Sequence, residues 1–136
     1  MASTWFSEIE STVFTYISYM ISEKTGAPYP RLNCTTKSQT TKPSKFPTLY
    51  LHNLTPVEQA QDLENDEVNA LLATIEIQVF SNQSESEAND IMTTAISLMK
   101  DLRWSVTMFP DPQTSDNVSF TIARFRKIVT ENDINN

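Results

Sequence analysis

Residues 74–81 read TIEIQVFS, and this stretch decides the fold class. Apolar and polar side chains alternate along it, with Ile75, Ile77 and Val79 separated by Glu76 and Gln78. Strict alternation of this kind is typical of a strand that has one buried face and one solvent-exposed face. The pattern therefore predicts a strand over residues 70–80 within an antiparallel sheet.

A second strand is predicted over residues 46–54, FPTLYLHNL. Alternate positions place Phe46, Thr48, Tyr50 and His52 on one face, and Pro47, Leu49, Leu51 and Asn53 on the other. Because Pro47 has no amide donor, we expect it at the start of the strand or on a sheet edge. Residues 31–36 form a possible further short strand.

Two amphipathic helices flank these strands. Apolar residues recur at three- and four-residue steps from Ser3 or Thr4 to Lys24, and again from Ser84 or Ser86 to Leu102. Gly26 follows the first helix, at a position that favours the left-handed conformation. Acidic residues open the second helix and basic residues close it, as the helix dipole prefers.

The remaining segments are predicted as strands and loops. Residues 104–109 and 118–129 form a hairpin with an extended tip that contains Asp111, Gln113 and Asp116. We expect a mobile loop at about 37–45, an acidic loop over 55–69 and a frayed tail from about 130. Residues 1–136 thus form a single α+β domain, in the order α-β-(β)-β-α-β-β, with two helices on one face of a mainly antiparallel sheet of four to five strands.

Composition narrows the possible chemistry. The chain of 136 residues has one Gly, one Cys and one His, which excludes a glycine-rich phosphate loop and a Cys/His zinc site. We expect structural roles for Cys34 and His52, and we assign no catalytic residue, no metal and no cofactor. Paired carboxylates of the glycosidase type stay open as an alternative, although most acids lie in predicted loops or at a helix start. The N-terminus lacks the pattern of a secretory signal, so we expect assembly in a cytoplasm.

Charge is segregated along the chain. Five cations and no acid lie between Lys24 and Val57, whereas nine acids and no cation lie between Phe46 and Met99. A third group, Arg124, Arg126 and Lys127, lies on the final predicted strand. Separate basic and acidic regions suit subunits that join head to tail in a ring. The net charge of -7 argues against tight, specific binding of nucleic acid.

These features define three candidate contact regions. One is an acidic loop that faces either a ring lumen or a neighbouring subunit: Glu58, Asp62, Glu64, Asp66 and Glu67. Another is a basic loop and strand that contact a partner: Lys37, Lys42, Lys45, Arg124 and Arg126. The last is the hairpin tip with Asp111, Gln113 and Asp116.

The order of these segments resembles the tail terminator, or tail completion, family of long-tailed bacteriophages. The resemblance is carried by an N-terminal helix, an FPxLYL strand, the TIEIQVFS strand, a Ser/Glu-led helix and a closing hairpin that ends ARFR at 123–126. These are loose patterns of residue type that cover most of the chain and include no invariant catalytic signature.

The resemblance implies a structural virion protein located in the tail–neck region. Members of this family form a ring, commonly hexameric, that caps the tail tube, stops its polymerisation and joins the tail to the head-side connector. The expected partners are further copies of the chain, the tail tube protein, a connector or stopper protein and, in contractile phages, the sheath. Genomic DNA would pass through an acidic lumen without specific binding.

Two alternatives remain open at this stage. A head-completion or stopper protein of the connector has a similar size and ring symmetry but binds the portal side of the joint. A monomeric cytoplasmic enzyme or ligand-binding domain belongs to a different class.

Overall fold

The computed structural model describes residues 8–37, 45–61, 68–108, 110, 112–115 and 117–130. Within them the chain forms an α+β fold, which confirms the predicted class. The elements in chain order are α1 (Ile9–Ser18), β1 (Asn33–Thr35), β2 (Thr48–Gln61), β3 (Val68–Ser81), α2 (Glu85–Asp101), β4 (Ser105–Met108), β5 (Gln113–Ser115) and β6 (Val118–Thr130). The described strands number six, compared with the four to five that were predicted.

All six strands belong to one mixed sheet, in the order β1-β2-β3-β6-β4, with β5 paired to the start of β6. The pairing of β1 with β2 is parallel, and every other pairing is antiparallel. β1 pairs only with Thr48–Tyr50, so β2 beyond Tyr50 is an edge strand for most of its length. The long strands β2, β3 and β6 therefore form the body of the sheet.

The main core lies between one face of this sheet and both helices. Alternate residues of the long strands join α1 and α2 in a single buried cluster, which includes Leu49, Leu51, Ala73, Ile75, Ile77, Val79, Ala123, Phe125 and Val129. The two helices thus lie on the same face, as the sequence predicted. The alternation predicted for residues 46–54 is also confirmed, because Leu49 and Leu51 face the helices whereas Tyr50 packs in a separate cluster.

The first helix has an irregular end. α1 buries Ile9, Val13 and Ile17 at four-residue steps, and a π-helical turn at Tyr19–Glu23 carries the same stripe on to Ile21. Gly26 then adopts a φ of 79°, as predicted from its position. The proposed caps Ser3 and Thr4 lie outside the described residues.

The second helix has a defined cap at each end. The Ser84 hydroxyl accepts a hydrogen bond from the Glu87 amide at 3.0 Å, which starts α2 close to the predicted position. At the other end, the Arg103 amide donates to the Lys100 carbonyl and the Trp104 amide to the Met99 carbonyl. These two bonds form a Schellman motif, and they hold Arg103 at a φ of 70°.

The prediction of a loop over residues 55–69 was wrong at both ends. β2 continues to Gln61 and β3 begins at Val68, so the two strands form a long hairpin. The register shifts between Leu54 and Val57, where Pro56 interrupts the ladder on an edge strand, which is one of the few places where a sheet accepts proline. A two-stranded edge of a sheet requires few apolar side chains, so this segment is polar. Its polar composition therefore led to the prediction of a loop.

The closing hairpin also differs from its prediction. The segment predicted as an extended tip contains β5, whose residues Gln113 and Ser115 pair with Phe120 and Val118. Only residues 116 and 117 separate β5 from β6, and Asn117 takes a φ of 66°, which Asn tolerates better than most residues. The expected mobile segment 38–44 and the expected tail 131–136 lie outside the described residues.

Candidate interaction surface

The face of the sheet opposite the two helices carries a second, smaller apolar cluster. Tyr50, Phe80 and Val118 are buried there, and Phe46 and Phe120 pack against them. The rings of Phe80 and Phe120 stack with centroids 6.0 Å apart. This cluster lies at the end of the sheet where β2 begins and β3 ends.

A row of three polar side chains crosses the centre of the same face. The register places His52 opposite Glu76, and Glu76 opposite Arg124, on three neighbouring strands. Glu76 Oε1 accepts hydrogen bonds from His52 Nε2 at 2.8 Å and from Gln78 Nε2 at 2.9 Å. Its Oε2 accepts from Arg124 Nε at 2.8 Å. Both carboxylate oxygens are thus used, and the row links three strands through side chains.

Glu76 is more buried than the sequence pattern predicts. The alternation predicted that Glu76 is solvent-exposed, but only 6% of the residue is accessible. Burial raises the pKa of its carboxyl group. The hydrogen bonds from Gln78 and Arg124 and the charges of Arg124 and His52 outweigh this effect and hold the pKa below its ordinary value of 4.5. Glu76 is therefore an ionised, fully partnered carboxylate.

The only histidine of the chain has a structural environment. Its ring stacks on Tyr50, with centroids 4.5 Å apart and an interplanar angle of 21°. Because a carboxylate can only accept, His52 Nε2 must carry the hydrogen in its bond to Glu76. These contacts support the structural role expected for His52.

The only cysteine is also held in a structural environment. Cys34 lies half-buried on β1, and its Sγ is 3.7 Å from the hydroxyl of Ser22. Burial raises the pKa of the thiol to about 11, so very little thiolate exists at neutral pH. This environment supports the expectation that Cys34 is not a nucleophile.

The predicted basic residues divide into two separate groups. Lys37 and Lys45 are exposed near β1, at one edge of the sheet, and Lys42 lies outside the described residues. Arg124 and Arg126 are exposed on β6, beside the opposite edge strand β4. Arg124 is paired with Glu76, whereas Arg126 forms no ion pair with a described residue. The basic loop and the basic strand therefore do not form one surface.

The other predicted contact residues are only partly described. Glu58 lies on β2 opposite Leu71, so it belongs to the hairpin arm and not to a loop. Gln113 is exposed on β5. Six predicted residues, Asp62, Glu64, Asp66, Glu67, Asp111 and Asp116, lie outside the described part of the chain.

Two residues of this surface were not singled out from the sequence. Arg103 lies at the end of α2 in a left-handed conformation that more often selects Gly. Ile128, on β6, is 56% exposed and therefore leaves a large apolar side chain in solvent. The alternation of Phe125, Lys127 and Val129 with Arg124, Arg126 and Ile128 could have indicated that Ile128 faces away from the core.

The described residues also bear on metal sites and membrane spans. Within them, no group of three or more His, Cys, Asp or Glu side chains is arranged to hold a metal ion. No described helix is long and apolar enough to cross a membrane. Comparison with models of known protein families gave no match, and no curated protein sequence matches the chain significantly.

Proposed function

We propose that this protein is a structural subunit of a bacteriophage neck that caps the tail tube as a ring, stops tail polymerisation and joins the tail to the head-side connector. The proposal starts from the resemblance of the sequence to tail terminator proteins. The α+β fold, with two helices on one face of the sheet, is compatible with it.

One observation carries the proposal: the acidic hairpin arm and the basic cleft near β4 are different surfaces of one subunit. At one edge, β2 is the first arm of a hairpin whose segment 58–67 contains five acids. Arg103 and Arg126 lie near the start of β4, the strand at the other edge. A subunit with two unlike surfaces suits a heterologous contact, which repeats around a ring when its rotation closes.

The environments of the reactive side chains favour a structural role over an enzymatic one. Cys34 has a raised thiol pKa, and His52 is bound to Glu76 and stacked on Tyr50. Nucleophilic catalysis requires a nucleophile and a base within hydrogen-bonding reach of each other. These two residues instead contact Ser22 and Glu76, and so hold their elements together.

Loss of the protein from its source phage tests the proposal. We expect full heads together with overlong or unattached tails, because nothing would end growth of the tube. Electron microscopy of the lysate measures both tail length and attachment. Leaking heads with free tails of normal length would instead identify a stopper protein, and normal infectious particles would reject any role in the neck.

A further inference from the structure

A shallow basic cleft lies on the helix-free face, where β6 runs past the start of β4. Its volume is about 340 Å³, and it is lined by Leu72, Arg103, Ser105, Thr107, Arg126, Lys127 and Ile128. The lining thus combines the guanidinium groups of Arg103 and Arg126 and two hydroxyl groups with two apolar side chains, and it contains no acid. Lys127 borders the cleft, but its side chain lies on the helix side of β6. This combination suits a partner segment that carries both carboxylates and apolar side chains.

The cations around the cleft differ in the partners they have within the described part of the chain. Neither Arg103 nor Arg126 forms an ion pair with any described residue. Lys127 Nζ donates to the Leu102 carbonyl at 2.9 Å, which anchors this ammonium group beside the end of α2. Arg124 on the same strand is different, because its charge is paired with Glu76. No acid among the described residues therefore pairs with the guanidinium groups of the cleft.

The backbone places Arg103 at the cleft at a conformational cost. The left-handed region is unfavourable for a non-glycine residue, because its Cβ comes too close to the following carbonyl oxygen. The Schellman motif at the end of α2 most often uses Gly at this position, yet this chain has Arg there. Because the motif itself does not require a guanidinium group, we attribute the presence of Arg at this position to a role of its side chain.

We infer that this cleft receives the acidic β2–β3 hairpin of a second copy of the same chain. Residues 57–68, VEQAQDLENDEV, contain five acids and four apolar residues and no cation, so they match the cations and the apolar rim of the cleft. Leu72, which lines the cleft, belongs to β3, the second arm of the hairpin, so the hairpin and the cleft are neighbouring but different surfaces of one subunit. When the hairpin of one copy enters the cleft of the next, the contact is heterologous and can repeat from copy to copy. The inference names the subunit contact of the proposed ring and rests on that proposal.

Cross-linking between different copies tests this contact directly. In a Cys34→Ser background, Arg126→Cys is made in one sample of the full chain and Glu64→Cys in another. The two are mixed at high concentration and treated with a short bismaleimide. We expect a heterodimer that weakens in roughly 1 M salt, where the Debye length is about 3 Å. Lys100→Cys, an exposed cation on α2, replaces Arg126→Cys in the matched control.

Equal heterodimer yields from Arg126→Cys and Lys100→Cys would overturn the inference, and so would a yield that salt does not change. Arg103→Asn provides a second test, because Asn accepts the left-handed conformation while removing the charge. With thermal unfolding unchanged, we expect this variant to lower the yield about tenfold, as for loss of a close charge pair at an interface. An unchanged yield contradicts the role of Arg103.

Two further outcomes separate this inference from other readings. A labelled single-stranded DNA that binds the wild-type chain and not Arg126→Glu would assign the cleft to phosphate groups and overturn the inference. Failure of the cross-link, combined with overlong tails on loss of the protein, would reject the contact and keep the proposed function. A specific cross-link combined with normal tails would keep the contact and reject the proposed function.

Discussion

Glu76 Oε2 accepts a hydrogen bond from Arg124 Nε at 2.8 Å, although the two side chains differ greatly in exposure: 8% for Glu76 and 47% for Arg124. The carboxylate is therefore buried while its cationic partner is half in solvent. The two partners are therefore not equivalent. Removal of Arg124 lets water reach one side of the Glu76 carboxylate, whereas neutralisation of Glu76 changes a group that is buried. The row that Glu76 forms with His52 and Arg124 spans β2, β3 and β6, the three longest strands of the sheet.

We expect Glu76→Gln to destabilise the fold by about 2 kcal/mol, the usual contribution of a hydrogen bond to a charged group. The amide keeps the size of the side chain but cannot accept at both ends from His52 and Arg124. Urea unfolding followed by circular dichroism measures the change. The matched control is Arg126→Gln on the same face. Arg126 forms no ion pair with a described residue, and we expect this variant to change stability by less than about 0.5 kcal/mol. Equal effects in the two variants would contradict a special role for Glu76.

The same carboxylate predicts a pH dependence. Its pKa in the folded protein is lowered below the ordinary value of 4.5, so the unfolded chain binds the proton more readily. Stability from this group is thus fully present above the unfolded pKa and is lost as pH falls through the folded pKa. Unfolding free energies measured from pH 6 down to the acid limit should decline less steeply in Glu76→Gln than in the wild type. Parallel curves would show that Glu76 does not contribute.

The fold could be predicted from the sequence where one pattern dominates. The ends of β3, α2 and β6 were predicted to within two residues, because each element alternates or repeats cleanly and contributes a full face to the core. The C-terminal end of β2 could not be predicted in this way, because the predicted strand ended at residue 54 whereas β2 continues to Gln61. Its second half lies at an edge with a register shift near Pro56, where polar residues carry no periodic signal.

The residues of the candidate surface were harder to predict from the sequence than the fold was. Arg126 was identified from charge alone, but the pairing of Arg124 with Glu76 depends on the register between β3 and β6, which composition does not give. Arg103 belongs to the same cleft only because the Schellman turn directs the chain from α2 back to the sheet. Contacts between strands that are distant in the sequence therefore cannot be predicted from composition and require the three-dimensional structure.

Cys34 is expected to react slowly in the folded protein. Its pKa of about 11, compared with an ordinary value of 9.0, lowers the thiolate fraction at pH 8 by about a hundredfold. Labelling with a chromogenic disulfide at pH 8 should therefore be slow in buffer and rapid in denaturing urea. A free thiol in a short peptide of the same local sequence is the reference for the unfolded rate. Rapid labelling of the native chain would contradict the buried environment and reopen a chemical role for Cys34.

Substitution of Ile128 tests the association between copies without changing the stability of the fold. The side chain is 56% exposed on the rim of the basic cleft, and Tyr19 is 53% exposed at the start of the π-helical turn. Ile128→Ser and Tyr19→Ser should each change the unfolding free energy by less than about 0.5 kcal/mol, because neither side chain belongs to the buried core. If the cleft contacts a second copy, only Ile128→Ser should lower the yield of cross-link between copies. A loss of yield in both variants would indicate a general effect on solubility or folding, and a loss only in Tyr19→Ser would move the contact to the helical face.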